Sequence, residues 1–337
     1  FLGLFLSDKA RTPTRTPIAA DENESFGNII TRNERMLEVF ALVRKVAPSD
    51  LTVLLRGETG TGKGLLAFAL HGLSRRAGRR FVAINCAAIP ETLLESELFG
   101  HVKGSFTGAD ADKKGLLLEA EGGTVFLDEI GKMPLAMQGK LLHFLDTKVV
   151  RPVGSAQERN VDVRIVCASK SDLRQLMEQG RFLEDLYFRL LDFPIVVPPL
   201  RDRSDDVPLL VDHFVQRFSA ELQTPAPEVG SACLDALLQF HWPGNVRELE
   251  KCLKRAMVLA QGEPLLRPEH LPRELVPYLI AGGPDGVAPL RETLAAVESR
   301  EIARCLQQCG GNKSAVARRL QISYPSLLKK IRLYGLE

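Results

Sequence analysis

The pattern of apolar and polar positions divides the chain into segments of different kinds. From residue 26 to about residue 197, short β-branched runs alternate with stretches in which apolar residues recur with the period of a helix. These patterns predict buried strands and amphipathic helices, and their alternation favours an α/β fold with a parallel sheet covered by helices. The predicted strands are Thr52–Arg56, Phe81–Asn85, Thr124–Leu127, Val163–Ala168 and Phe193–Val197, and the helices between them include Arg35–Val46, Lys63–Leu73 and Leu135–Asp146.

After Pro198 and Pro199 the strand pattern ends, and the apolar spacing predicts helices alone. A stretch rich in Gly and Pro, residues 281–289, is typical of a linker, and the remaining segment is compact and helical. The polar segment before residue 26 predicts a linker from a missing N-terminal region, because the chain starts with Phe1 rather than Met. The predicted units are a linker (1–25), an α/β unit (26–197), a helical unit (198–265), a second linker (266–289) and an all-α domain (290–337).

Composition excludes several classes of protein. Of the 337 residues, 45% are hydrophobic and 26% are charged, which excludes wholesale disorder and fibrous architectures. No apolar run approaches the roughly 20 residues that span a bilayer. The six cysteines lack a C-x-x-C pair, so neither a metal site nor a disulfide framework is expected, and a reducing location such as the cytoplasm fits better. Cys305 and Cys309 share an apolar helical stripe with Leu294 and Val297, which favours core packing over ligation.

The string GETGTGKG, residues 57–64, lies between a predicted strand and a predicted helix. It matches the P-loop pattern G-x-x-x-x-G-K, in which backbone N–H groups surround phosphate oxygens and the lysine supplies a positive charge. Gly64 occupies the position where a Ser or Thr usually binds Mg²⁺. A simple Gly-rich turn is the alternative, but the strand–loop–helix context favours a nucleotide. The predicted nucleotide contacts are Gly57, Glu58, Thr59, Gly60, Thr61, Gly62, Lys63 and Gly64.

A second acidic element follows the predicted strand that begins at Thr124. This strand ends in Asp128 and Glu129, two adjacent carboxylates. Adjacent acids also occur in solvated turns, but after a P-loop the pair indicates hydrolysis. Asp128 would hold Mg²⁺ and Glu129 would orient the attacking water. The sequence thus predicts an ATPase with ATP and Mg²⁺ as cofactors, in which Lys63 is also catalytic.

The near-balance of 44 Lys and Arg against 42 Asp and Glu conceals a basic carboxy-terminal end. Residues 311–337 hold six Lys or Arg and a single acid, Glu337. The apolar spacing predicts helices at 312–320 and 324–334 around a tight turn, a helix-turn-helix that binds double-stranded DNA. A solvated basic face is the alternative. Predicted groove contacts are Ser323, Tyr324, Ser326 and Lys329, and predicted phosphate or flanking contacts are Lys313, Arg318, Arg319 and Lys330.

Two further strings carry a resemblance to a known family. Residues 97–109 contain GSFTGA, and residues 242–249 form WPGNVREL. With the P-loop and the basic end, these strings resemble the bacterial enhancer-binding proteins, the AAA+ activators of sigma-54 RNA polymerase, over about residues 26–337. The glycines of GSFTGA also permit a flexible loop with an exposed aromatic tip, an apolar anchor for a partner. The resemblance implies that the sigma factor contacts Gly104, Ser105, Phe106, Thr107, Gly108 and Ala109.

The resemblance implies a function and a set of further roles. Enhancer-bound subunits would form a homo-oligomer, a hexamer when active and a dimer when inactive, that uses ATP hydrolysis to convert the sigma-54 closed complex into an open complex. Asn85 would restrain Glu129. Arg247, the arginine of WPGNVREL, would sense nucleotide from a helical lid. Arg189 would act as a finger arginine in the active site of a neighbouring subunit. The carboxy-terminal domain would be of the Fis type.

Three positions depart from the family pattern. Leu183 stands where a first finger arginine is usual, Gly64 replaces an acid, and Ser169 with Lys170 replaces a Thr-Asn or Thr-His pair. These departures predict attenuated hydrolysis. They leave open an alternative from another class, a DNA-binding transcriptional regulator whose weakened or inactive ATPase serves assembly. A AAA+ machine for another client is disfavoured by GSFTGA and WPGNVREL.

Overall fold

The computed structural model describes residues 25–26, 29–275, 290–310 and 312–336. The predicted linker 1–25 therefore lies outside the described residues except for Ser25, as does the 276–289 part of the second linker. Across the described helices, none is long and apolar enough to cross a membrane. All six cysteines are free thiols.

A five-stranded parallel sheet forms the centre of the first unit, which confirms the predicted α/β fold. The strands are β1 (Val53–Arg56), β2 (Phe81–Asn85), β3 (Thr124–Asp128), β4 (Arg164–Ser169) and β5 (Phe193–Val196). Their order in the sheet is β5-β1-β4-β3-β2, so the chain crosses over between non-adjacent strands. Every residue of β4 is buried, as expected for a central strand covered on both faces.

Helices cover both faces of this sheet. In β1, Val53 and Leu55 pack with the first two helices, whereas Leu54 belongs to the cluster on the opposite face. The helices are α1 (Glu34–Val46), α2 (Lys63–Gly72), α3 (Glu91–Phe99), α4 (Leu116–Glu119), α5 (Leu135–Thr147), α6 (Leu173–Glu178) and α7 (Glu184–Leu190). Two-residue antiparallel pairs, too short for a periodicity signal, join Ser25–Phe26 to Ile29–Ile30, Gly100–His101 to Lys113–Lys114, and Val149–Val150 to Arg159–Asn160.

A helical lid follows the sheet and has its own core. Trp242 is 1% exposed there, and its indole N–H donates to the Leu237 carbonyl at 2.8 Å. The helices expected after Pro199 are present as α8 (Asp206–Leu222), α9 (Ser231–Gln239) and α10 (Asn245–Leu259). Short 3-10 turns lie at Leu200–Asp202, Pro268–His270 and Arg273–Leu275, and Glu228–Val229 pairs in parallel with Leu265–Leu266.

A buried ion pair, Arg203 with Asp206, joins three segments. The two side chains are 1% and 0% exposed and lie 3.5 Å apart. The Asp206 carboxylate accepts from the Thr31 hydroxyl at 2.6 Å and from the backbone N–H of Arg32 at 2.8 Å. The Arg203 guanidinium donates to the backbone carbonyl of Thr61 at 3.1 Å. The pair thereby connects the chain before α1, the start of the lid and the loop that precedes α2.

Three helices form the carboxy-terminal unit: α11 (Leu290–Gln308), α12 (Lys313–Arg319) and α13 (Tyr324–Tyr334). The expected apolar stripe on α11 is only partly buried. Ile302 and Cys305 lie in the core, but Leu294 and Val297 are 54% and 44% exposed, which corrects the prediction for this end of the helix. The core consists of one turn of α11 and the inward faces of the two short helices.

Candidate functional site

The predicted nucleotide-binding residues meet at one edge of the sheet. Because the strands are parallel, the ends of β1, β2, β3 and β4 lie at this edge, with the loop 57–62 directly after β1. The N–H of Gly57 donates to the carbonyl of Ser169 at the end of β4, at 3.2 Å. Loops at the carboxyl ends of such strands are the usual ligand site of open α/β sheets.

Lys63 begins α2 and points back into the loop. It is 7% exposed, and its ammonium donates to the carbonyls of Gly57 at 2.7 Å and Glu58 at 2.8 Å. Burial lowers the pKa of Lys63, while the charges of Asp128 and Glu129 oppose that shift. The structure thus brings the predicted lysine and the two predicted acids into one electrostatic environment.

The acid pair lies at a bend in the backbone. Glu129 has φ of +54° and ψ of +44°, a left-handed conformation that costs about 1 kcal/mol in a non-glycine residue. The Asp128 carboxylate accepts from the Glu129 N–H at 3.0 Å and so supports this bend. The bend ends the strand directly after Asp128.

Asn85 lies opposite Asp128 in the pairing of β2 with β3. Its side-chain oxygen accepts from the N–H of Ala87 at 2.9 Å, so it caps the turn that follows the strand. Among the hydrogen bonds of the described residues there is none between Asn85 and Glu129, and the restraining role of Asn85 stays a prediction. The capping role, which the residue type alone also allowed, is the one observed.

The lid reaches the loop at Gly60. A Cβ at this glycine would lie 2.1 Å from the carbonyl oxygen of Gly244 and 3.1 Å from Cβ of Arg247, and its φ is +82°. Only glycine fits there, on both steric and conformational grounds. The charge of Arg247 contributes to the lowered pKa of Lys63. The predicted lid arginine therefore lies close to the predicted phosphate site.

Two lid residues that the sequence did not identify contact the loop 57–62. The Arg201 guanidinium forms two hydrogen bonds with the Glu58 carboxylate, at 2.8 and 2.7 Å. The fully buried Asn245 donates to the Thr59 carbonyl at 3.0 Å and to the Glu58 carboxylate at 3.2 Å. The Glu58 side chain thus faces the lid, and the predicted contact of residue 58 with nucleotide stays a prediction. The string WPGNVREL was the only signal that could have identified Asn245.

Arg189 lies apart from the cluster around Lys63. Its guanidinium pairs with Asp146 at 3.2 Å and donates to the carbonyl of Leu145 at 3.3 Å, both on α5. Leu183 directly precedes α7, the helix that carries Arg189; it packs against the core and donates its N–H to the Gln138 side chain at 2.8 Å. Ser169 is also engaged locally, since its hydroxyl donates to the carbonyl of Ser171 at 2.8 Å.

The GSFTGA segment forms a compact loop. The N–H of Gly104 donates to the Ala109 carbonyl at 2.9 Å, and the Ala109 N–H donates to the Phe106 carbonyl at 3.0 Å. Phe106 is 36% exposed and packs edge-on against His101, with ring centroids 5.0 Å apart. Gly108 and Thr107 are exposed beside it. The loop therefore offers a partly sheltered aromatic ring at the surface.

The carboxy-terminal helices form a helix-turn-helix. Asn312 caps α12 by accepting from Ala315 N–H at 3.1 Å, and Ser323 caps α13 by accepting from Ser326 N–H at 3.3 Å. Capping therefore occupies Ser323, a predicted groove contact. The remaining predicted contacts are exposed or half-buried: Lys313, Arg318, Arg319, Tyr324, Ser326 and Lys329.

Lys330 is the exception among the predicted DNA contacts. It forms an ion pair with Glu298 of α11, which also accepts from the Tyr334 hydroxyl at 2.7 Å. This contact raises the pKa of Lys330 and lowers the pKa of Glu298. The assignment of Lys330 to phosphate stays a prediction, and a phosphate would have to compete with Glu298 for its charge.

Family models match three segments of the chain. Residues 29–196 match the Sigma-54 interaction domain, residues 201–278 the AAA+ ATPase lid domain, and residues 293–334 the bacterial regulatory protein, Fis family. These segments contain the P-loop and acid pair, the lid residues and the helix-turn-helix.

Relatives that match most of the chain agree with the family models. The chain is 42% identical to Regulatory protein AtoC of Escherichia coli K12 over 93% of its own length and 68% of AtoC. It is 45% identical to Transcriptional regulatory protein ZraR of Salmonella typhimurium LT2, over 91% of the chain and 68% of ZraR. The fold resembles NtrX from Brucella abortus in complex with ADP, with a TM-score of 0.72 and 30% identity, covering 91% of this chain and 70% of NtrX. The ATP complex of NtrX gives a TM-score of 0.68 at 30% identity, covering 93% and 70%. The chain therefore belongs to the sigma-54-dependent transcriptional activators, with a AAA+ ATPase domain and a Fis-type DNA-binding helix-turn-helix.

Proposed function

We propose that this protein binds enhancer DNA as an oligomer and uses ATP hydrolysis to convert the sigma-54 closed complex into an open complex. The observation that carries the proposal is the cluster at the sheet edge, where Lys63, Asp128 and Glu129 influence one another and Arg247 of the lid approaches. The bound ATP and ADP of the NtrX structures support a nucleotide at this position.

Each residue of the cluster has a distinct task in this proposal. The backbone N–H groups of residues 57–62 and the Lys63 ammonium bind phosphate oxygens, for which Lys63 exchanges its carbonyl partners. Glu129 holds the attacking water and accepts its proton. Asp128 is the protein ligand for Mg²⁺, which would neutralise charge on the phosphates. Gly64 offers no hydroxyl ligand, so phosphate oxygens and water would supply the remaining ligands.

Assembly completes the site in this proposal. Arg189 is partnered by Asp146 within its own subunit and is half-exposed, so it is available at the surface for a neighbouring active site. A guanidinium supplied in this way stabilises charge on the transferred phosphoryl group. We propose a hexameric ring as the active form and a dimer as the inactive form.

Phe106 is the proposed contact with the sigma factor. Replacing Phe106 by alanine is expected to abolish open-complex formation while ATP hydrolysis stays within about twofold of wild type, because the ring is on a surface loop apart from Lys63. Interface aromatics of this kind often cost 2 kcal/mol or more on truncation, which is about thirtyfold in affinity. A promoter probe whose signal changes when the strands separate measures sigma-54-dependent open complexes. Phosphate release measures ATP hydrolysis.

Val258→Ala provides the matched control, since Val258 is an apolar lid residue that is 51% exposed. It should retain both activities. Normal open-complex formation by Phe106→Ala would eliminate the loop as the sigma contact, whereas loss of hydrolysis and remodelling together would show that the loop acts on the ATPase instead.

The exposed basic side chains of the helix-turn-helix are the proposed phosphate contacts. Arg318→Ala is expected to reduce the slope of log affinity against log salt by about 1 on a random-sequence duplex, because each phosphate contact releases one counterion. Lys330→Ala should change the slope less, since Lys330 is already paired with Glu298. Fluorescence anisotropy between 50 and 200 mM salt measures both, and equal slopes for the two variants would contradict this assignment.

A second candidate function, a DNA-binding regulator with a weakened ATPase used for assembly, is favoured by Gly64 and Leu183. Gly64 cannot ligate a metal through its side chain, and Leu183 packs against the core without a charge to offer a neighbour. Measured turnover of the wild-type protein separates the two candidates.

A further inference from the structure

The loop residues 57–59 are held from two sides. On one side, the Lys63 ammonium binds the carbonyls of Gly57 and Glu58. On the other, the lid binds the Glu58 carboxylate and the Thr59 carbonyl. We call the second set the lid contact and define it as Glu58, Arg201 and Asn245.

The lid contact is a connected network. Asn245 uses both ends of its amide, because its oxygen accepts from the N–H of Leu200 at 2.7 Å while its nitrogen donates to the loop. Leu200 is the residue directly before Arg201. Asn245 itself has φ of +55°, so the start of α10 is bent to bring this amide inward. The network joins the loop to two separate points of the lid.

Nucleotide binding changes the balance between the two sides. When the Lys63 ammonium turns to a phosphate, the carbonyls of Gly57 and Glu58 lose that partner. The lid contact then holds the turn together with two remaining bonds, from the Thr61 hydroxyl to the Glu58 carbonyl at 2.9 Å and from the Gly57 N–H to the Ser169 carbonyl at 3.2 Å. Its contribution is therefore larger with nucleotide bound than without.

The charge of Glu58 is a second reason why the lid contact contributes more when nucleotide is bound. A carboxylate within a phosphate-binding loop repels the ligand unless a cation neutralises it. Arg201 does so through a bidentate contact, which is the strongest common geometry for this pair. The same contact holds the pKa of Glu58 below its usual range.

We propose that Glu58 is a positioning residue, and that Arg201 and Asn245 hold it so that the lid's position sets the affinity of the loop for nucleotide. The proposal rests on the proposed nucleotide site at Lys63 and extends it to the lid. Movement of the lid away from the loop releases Glu58, and bound nucleotide is released with it.

Arg201→Ala tests the proposal in the full chain. The affinity for ADP, measured by isothermal titration calorimetry, is expected to fall about tenfold. The melting temperature without nucleotide should stay within about 2 °C of wild type, because Arg201 and Glu58 are each 42% exposed and such pairs contribute little to stability. A merely structural residue would shift both quantities. Arg201→Lys, which keeps the charge and loses the bidentate geometry, should recover part of the affinity.

A double-mutant cycle tests whether the two residues act together. Adding Glu58→Gln to Arg201→Ala should weaken ADP binding no further, and should restore part of it by removing the uncompensated carboxylate. Lys254→Ala is the matched control, because Lys254 pairs with Glu221 within the lid at 3.2 Å and does not contact the loop. Its ADP affinity should equal that of wild type.

The outcomes separate this proposal from the one on which it rests. Wild-type affinity in Arg201→Ala, or additive losses in the double variant, would overturn the lid contact and leave the nucleotide site standing. If the wild-type chain does not bind ADP, or if Lys63→Met leaves ADP binding unchanged, the nucleotide site and the lid contact are both overturned.

Discussion

Replacement of Lys63 by methionine is expected to lower ATP hydrolysis by about 10²–10³-fold and to abolish sigma-54-dependent open-complex formation. The physical reason is the placement of the ammonium. It is nearly buried, so its attraction to phosphate is weakly screened by water, and it already lies in the field of Asp128 and Glu129. Methionine keeps most of the aliphatic stem and removes the charge. Phosphate release and promoter opening measure the two losses.

Lys45→Met is the control for this experiment, because Lys45 is an exposed lysine on α1 outside the site. Unchanged hydrolysis in Lys63→Met would remove the proposed nucleotide site. Wild-type turnover no higher than the background rate without protein would instead favour the regulator with an inactive ATPase, the alternative that Gly64 and Leu183 support. Thermal unfolding of each variant shows whether the fold is retained.

Replacement of Asp206 by alanine is expected to destabilise the AAA+ part by about 3–5 kcal/mol, since it leaves the buried Arg203 guanidinium without its counter-charge. The Thr31 hydroxyl and the N–H of Arg32 would lose their acceptor as well. For a unit of this size the loss corresponds to a fall of about 10 °C in melting temperature. Differential scanning calorimetry measures the shift.

Asp205→Ala gives a neighbouring control. Asp205 is exposed, and its carboxylate accepts from the side chain of Asn33 at 2.8 Å, so its loss should cost no more than about 1 kcal/mol. Similar shifts for the two variants would contradict the view that burial of the pair determines the effect.

The local parts of the site were predictable from the sequence. GETGTGKG specifies a backbone turn before a helix, and an apolar strand that ends in Asp128 and Glu129 predicts acids at a strand end. Parallel strands then place both at one sheet edge, as observed. The strand order was not predictable, because it depends on crossovers that leave no periodic signal in the sequence.

The hydrogen-bond partners of individual polar side chains were harder to predict from the sequence. Asn85 could cap a turn or restrain Glu129, and residue type does not choose between short-range partners at similar distances. Lys330 looked like a phosphate contact because its partner, Glu298, lies on another helix. Leu294 and Val297 follow the helical period, but α11 is longer than α12 and α13, so these two residues lie beyond the core that the three helices share.

The sequence by itself therefore determined the α/β core, the lid, the helix-turn-helix and the family, because each depends on residues that are close along the chain. Only the tertiary structure decided that Glu58 faces Arg201, across 143 positions, and that Arg203 and Asp206 form a buried junction with Thr31 and Thr61. Such contacts depend on which surfaces the packed helices and sheet bring together. A long-range pair of this kind has no fixed spacing, so no local pattern of residues can specify it.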